Sequence, residues 1–127
     1  MSWPITPRPE GIDIYRPWDE VAPHALLGLK PGDDLTFVRV AKRDERVLGG
    51  YHMVRLDALT FEMRALVMEP GYRGQGIGTW LFKHAQALTE SKSGRVLLSR
   101  LPGIDALHRR LGFVEAGDGW RFDVTPE

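Results

Sequence analysis

An α+β fold with a mixed, mostly antiparallel twisted sheet is the class this 127-residue chain predicts. Three observations predict it. Short runs rich in β-formers recur from Ile12 to Met68, with turn residues between them. A glycine-rich turn then leads into one amphipathic helical segment, and two short apolar runs close the chain around Gly117-Asp118-Gly119.

Taken in order, residues 1–10 carry Pro4, Pro7 and Pro9 and read as an extended arm, because proline cannot donate to a sheet ladder. Ile12 to Arg16 alternates as a first strand that Pro17 stops. Val21 to Leu29 is a short helical candidate, followed by the turn cluster Lys30-Pro31-Gly32-Asp33-Asp34. Leu35 to Lys42 and Val47 to Leu56 are strands joined by a hairpin at residues 43–46, and Thr60 to Met68 is the fourth strand. From Gly76 to Glu90, Ile77, Trp80, Leu81, His84, Ala85 and Leu88 recur at helical spacing. Arg95 to Ser99 is a buried strand, Ile104 to Leu111 a short helix, and residues 113–115 and 120–124 a closing hairpin. About seven strands result, in the order β-α-β-β-β-α-β-α-β-β, with no linker or repeat, so residues 1–127 read as one domain.

Composition excludes several classes of function. Seventeen basic and seventeen acidic residues cancel, so no basic excess points to nucleic acid. There is no cysteine, which removes disulfides, thiolate metal sites and a cysteine nucleophile and fits a cytoplasmic protein. No run approaches the length of a membrane span, and residues 1–10 lack the apolar core of a signal peptide. His24, His52 and His84 show no metal-ligand spacing, so no metal is expected.

The turn after the fourth strand carries the chemistry. Leu66-Val67-Met68-Glu69-Pro70 runs into a loop with glycines at 71, 74, 76 and 78, and the amphipathic helix starts at once. Such a turn aims free backbone N–H groups and a positive helix end at one point, which suits a phosphate, and Arg73 adds a fixed charge. The nucleoside-triphosphate loop fails, because Ile77 and Gly78 stand where lysine and serine or threonine are required. The dinucleotide fingerprint fails as well, since Thr79 replaces its third glycine and residues 95–101 hold no carboxylate.

What remains is Arg-x-x-Gly-x-Gly (Arg73, Gly76, Gly78) after an apolar strand, with Leu107-His108-Arg109-Arg110-Leu111-Gly112-Phe113 downstream. The pair, in this order, resembles the acyl-coenzyme A loop and the Phe-Tyr-x-x-x-Gly-Phe segment of the GNAT superfamily of N-acetyltransferases. The resemblance implies about seven strands flanked by three to four helices, and acetyl-CoA as co-substrate. It implies that Arg73, Gly74, Gln75, Gly76, Ile77, Gly78 and Thr79 hold the pyrophosphate. Leu66, Val67 and Met68, on a splayed fourth strand, would hold the pantetheine arm and supply an oxyanion-binding N–H. Two helices usually lie between the family's first two strands. Residues 18–34 have room for about one at about 1.5 Å per residue, so an open acceptor side is expected.

Acyl transfer from a thioester needs a base for the amine, a donor for the oxyanion and a proton for the leaving thiolate. Glu62 is the candidate base: period two puts it on one face with Leu66 and Met68, and several family members carry a glutamate there. The plainer reading pairs it with Arg64, its same-face neighbour. His108 occupies the place of the family's tyrosine, the general acid, and imidazole can donate near neutrality. Leu101-Pro102-Gly103 stands where many members have an asparagine that contacts pantetheine.

The expected activity is direct transfer of an acyl group, acetyl in the first instance, to an amine on a small molecule, peptide or protein. The alternative is a non-catalytic acetyl-CoA-binding regulator that acts through a protein partner. The Gly112-Phe113 and Gly119-Trp120 ending also resembles a small GNAT-like maturation factor. No membrane or nucleic-acid partner is expected, and a homodimer stays open.

Overall fold

A computed structural model describes residues 11–17, 26–30, 32–72 and 76–124. Its described strands are β1 (Asp13–Tyr15), β2 (Val38–Arg43), β3 (Arg46–Arg55), β4 (Thr60–Met68), β5 (Val96–Ser99), β6 (Val114–Ala116) and β7 (Gly119–Asp123). They form one sheet in the order β1-β2-β3-β4-β5-β7-β6. Among these strands only β4 and β5 run parallel, joined across the sheet by the helix α1 (Ile77–Ser91). The second described helix is α2 (Asp105–Arg110), and Pro70–Tyr72 is a single 3-10 turn.

The described helices are therefore fewer than the three to four expected. Residues 26 and 27 are helical, but most of the Val21–Leu29 candidate, like the 1–10 arm, lies outside the described residues.

Each element follows from local chemistry. Ile77, Leu81 and Ala85 bury one face of α1 where the helical spacing put them, and Phe82 joins them, in one cluster with Tyr51, Met53, Phe61, Met63 and Leu97. The helix ends with paired capping bonds, Ser93 N–H to Glu90 O at 3.0 Å and Gly94 N–H to Thr89 O at 2.9 Å, and Ser93 takes the left-handed conformation (φ 63°). Helix α2 ends the same way at Gly112 (φ 90°), and its first turn holds Asp105 while its last holds His108, Arg109 and Arg110, matching the helix dipole. The β2–β3 hairpin turns at Asp44 (φ 50°) and Glu45 (φ 68°).

The sheet buries both faces. Leu27, Val38 and Val40 pack with Ala65 and Val67 on one side, while the main cluster lies under α1 on the other. In β4 the alternation breaks at one place. His52 pairs with Ala65 but Met53 pairs with Met63, so Arg64 is an extra residue, a β-bulge. Phe61 and Met63 before it, and Leu66 and Met68 after it, all join the cluster under α1.

Candidate active site

The bulge at Arg64 coincides with the parting of β4 from β5. Pairing between them runs from Thr60↔Val96 to Met63↔Ser99 and stops. Residues 64–68 continue beside β3 alone, so β4 carries an unpaired edge among the described strands. The ladder shows which groups face that edge. Glu69 N–H donates to Leu48 O at 2.8 Å, and hydrogen-bonded and non-bonded pairs alternate along an antiparallel ladder. Leu66 (opposite Tyr51) and Met68 (opposite Gly49) therefore fall at non-bonded positions. Their N–H and C=O groups point into the gap that β5 leaves.

The far end of this edge meets the start of α1. A Cβ on Gly49 would run into the Met68 sulfur and come 2.7 Å from Val67 O. The glycine lets Met68 lie over β3. Across the gap, a Cβ on Gly78 would stand 3.7 Å from Met68 Cγ. Gly76 caps α1 in the left-handed conformation (φ 77°) with no side-chain cap, and its carbonyl accepts from Trp80 N–H at 3.0 Å. The N–H groups of Ile77, Gly78 and Thr79 precede any intrahelical acceptor, and a Cβ on Gly76 would meet nothing within 4 Å. Arg110 of α2 donates from Nη2 to Thr79 Oγ1 at 3.1 Å, which brings a guanidinium onto this first turn. Arg73, Gly74 and Gln75 lie outside the described residues.

The two faces of the fork differ in chemistry. On the α1 side, His108 is fully buried and its Nε2 lies 2.7 Å from Ser99 Oγ. The imidazole stacks on Trp120 (5.0 Å, 7°) and meets Phe82 and Phe113 edge-on, while its Nδ1 has no hydrogen-bond partner. Burial holds its pKa below the ordinary imidazole value, against the opposing pull of Asp105 and the Ile104 carbonyl.

Glu62 lies on the opposite face, beside Val54 and Leu98. This corrects the expectation that it shares a face with Leu66 and Met68: the extra residue at Arg64 inverts the alternation between them. The Glu62 carboxylate is buried and held from both sides, Oε1 2.7 Å from Arg64 Nε and Oε2 3.4 Å from Arg100 Nη2. Arg100 also reaches Asp118 at 3.7 Å. Its stem crosses Gly119, where a Cβ would fall 2.6 Å from Arg100 Cγ. His52 shares this face through its pairing with Val38 and Ala65. Burial lowers its pKa and Arg64 lowers it further, against the opposing pull of Asp33 and Asp34.

Sequence reading missed Arg64 and Arg100 as a pair, Arg110, and the Ser99–His108 contact. Arg64 had signalled an ion pair with Glu62; the others come together only through the sheet order. Asp33 and Asp34 serve their own turn, accepting from Lys30 N–H (2.8 Å) and Thr36 N–H (2.9 Å). Among the described residues no group of histidines and carboxylates is arranged to hold a metal.

Among the described residues, then, an open strand edge leads to a helix N-terminus that has no side-chain cap, and free backbone donors of that kind suit a phosphate. The family model for the acetyltransferase (GNAT) domain matches residues 34–115. The chain belongs to the GNAT acetyltransferase family. A mycothiol acetyltransferase of Acidothermus cellulolyticus is 33% identical over 112 residues, covering 80% of this chain and 33% of that protein. The chain thus spans about a third of the length of this curated relative. Two solved structures share the fold. A GNAT acetyltransferase from Elizabethkingia anophelis with acetyl-CoA bound has a TM-score of 0.71 at 20% identity, covering 86% of this chain and 80% of that one. An IAA acetyltransferase from Bacillus cereus has a TM-score of 0.69 at 24% identity, covering 84% and 79%.

Proposed function

We propose that this protein transfers the acetyl group of acetyl-CoA to an amine by direct attack, without a covalent enzyme intermediate. The observation that carries the reading is the unpaired edge at residues 64–68, which leads into the uncapped start of α1. Pantetheine lies against the Leu66 and Met68 backbone as an added strand would. Its pyrophosphate takes the N–H groups of residues 76–79, with Arg73, Gly74 and Gln75 completing the loop. An N–H on the edge stabilises the tetrahedral oxyanion.

In this reading the attacking amine gives its proton to Glu62, and His52 is the runner-up base on the same face. The collapsing intermediate expels the coenzyme thiolate. Ser99 O–H protonates the sulfur, and imidazolium His108 returns a proton to Ser99 from Nε2. His108 works here through Ser99, since its ring is walled in by Trp120, Phe82 and Phe113.

The regulatory alternative draws on one observation, that both oxygens of Glu62 are already engaged by arginines. Calorimetry with acetyl-CoA and thiol release with an amine panel separate the two readings. Glu62→Gln should lower turnover by about 10²–10⁴-fold with coenzyme affinity unchanged. Tight acetyl-CoA binding with no turnover of any amine or peptide would establish the regulator instead.

A further inference from the structure

The class of acceptor follows from the charges around the fork. Three charged groups converge on its acceptor face from three places in the chain: Glu62 on β4, Arg64 at the bulge, and Arg100 just past the end of β5. Glu62 is buried, whereas both arginines are at least half exposed. A buried carboxylate of this kind keeps a cationic partner, because an unpaired charge there is costly. Exposed guanidiniums exchange partners readily.

An incoming amine therefore faces an exchange. To reach Glu62 it must displace a guanidinium from one carboxylate oxygen. Among the described residues, a plain amine leaves a displaced Arg100 only Asp118, a solvent-exposed carboxylate 3.7 Å away, as a partner at the site. An amine that carries its own carboxylate restores both pairings at once: its nitrogen goes to Glu62 and its carboxylate to the freed arginine. Arginine suits this, since its planar fork binds a carboxylate through two parallel N–H donors.

Resting on the acyl-transfer reading above, we infer that the acceptor is a small zwitterionic amino carboxylate, with its amine seated on Glu62 and its carboxylate held between Arg64 and Arg100. Gly119 takes part by sparing the space through which the Arg100 stem passes.

The test is a panel of amino acids, each assayed for thiol release from acetyl-CoA beside its carboxamide and its decarboxylated amine. The free acids should be preferred in kcat/KM by about tenfold or more, the scale of a charged hydrogen-bonded contact. Arg100→Gln and Arg64→Gln should raise KM for the acids, abolish the preference and leave acetyl-CoA affinity by calorimetry unchanged. Arg100→Lys should recover part of the preference. Equal or better turnover of the amides and amines overturns the inference and leaves the acyl-transfer reading standing. So does an acid preference that survives both glutamine variants. A parent protein that binds no acetyl-CoA at all strikes the acyl-transfer reading itself.

Discussion

His108 Nε2 and Ser99 Oγ meet 2.7 Å apart at the last residue that β5 pairs with β4, and both side chains are fully buried there. The pH dependence of turnover follows. Burial lowers the His108 pKa, so imidazolium is scarce above the ordinary imidazole value of 6.5. If the pair supplies the thiolate's proton, kcat falls as pH rises, with its midpoint below 6.5. Ser99→Ala and His108→Ala should each remove that limb and lower kcat more than acetyl-CoA affinity. Unchanged profiles in both variants would show the pair to be structural.

The coenzyme loop can be tested at its described end. Gly76 holds φ 77° in open space, so valine there both strains the backbone and fills the phosphate cradle. Gly76→Val should weaken acetyl-CoA binding at least tenfold by calorimetry, the scale of a lost charged contact. Undiminished affinity would remove the loop from the site.

Gly119 gives a test of the acceptor face without touching any charge. A methyl there collides with Arg100 Cγ at 2.6 Å and with Ser99 O at 2.7 Å, and the carbonyl belongs to backbone that cannot move freely. Gly119→Ala should cost about 1–3 kcal/mol of stability, as overpacking does. It should also raise acceptor KM while the acetyl-CoA dissociation constant holds. A variant with parental stability and KM would show that Arg100 has another path.

Three histidines set a pH limit on stability. His52, His84 and His108 each have a pKa lowered by burial from 6.5. The unfolded chain binds protons that the folded one refuses, so stability rises with pH across this window. It is complete above about 6.5 and is lost as pH falls from there toward the folded values. The melting temperature should therefore fall as pH is lowered below the ordinary imidazole value of about 6.5. His108→Gln, which keeps a donor near Ser99 Oγ, should shallow that drop. A flat melting temperature across the window contradicts the linkage.

Three non-glycine residues, Asp44, Glu45 and Ser93, occupy left-handed backbone, and the last two make the simplest glycine tests. Ser93 caps α1 at φ 63° and Glu45 turns the β2–β3 hairpin at φ 68°. The left-handed region costs an ordinary residue about 1–2 kcal/mol, partly offset by the greater freedom of glycine in the unfolded chain. Ser93→Gly and Glu45→Gly should each raise the melting temperature by a few degrees, additively because they are far apart.

Most of the fold was legible because its elements are local. Residues 60–68 read as one strand from composition alone, and Ile77, Leu81 and Ala85 marked the buried face of α1. The site was legible only where it is contiguous. Gly76, Ile77, Gly78 and Thr79 lie at the helix start as their spacing implied. The face of Glu62 was misread because period two assumes an uninterrupted ladder, and nothing in Glu62-Met63-Arg64-Ala65 announces that Arg64 is the extra residue. The meeting of Glu62 with Arg100, or of His108 with Ser99, depends on β5 crossing to lie beside β4. No local pattern encodes that crossing.

The unpaired stretch of β4 also bears on how the protein behaves when coenzyme is scarce. Ala65-Leu66-Val67-Met68 is an apolar strand edge, and the Leu66 and Met68 N–H and C=O groups, which meet no described strand on that side, would pair with any other strand that reaches them. Arg64 and Glu69 stand at its two ends, charged gatekeepers on either side of a sticky segment. Were pantetheine to lie along that edge, as proposed above, it would shield the strand from other chains and the co-substrate would guard against self-association. Starved of it, concentrated protein should precipitate sooner, and losing the charge at Arg64 should hasten the process.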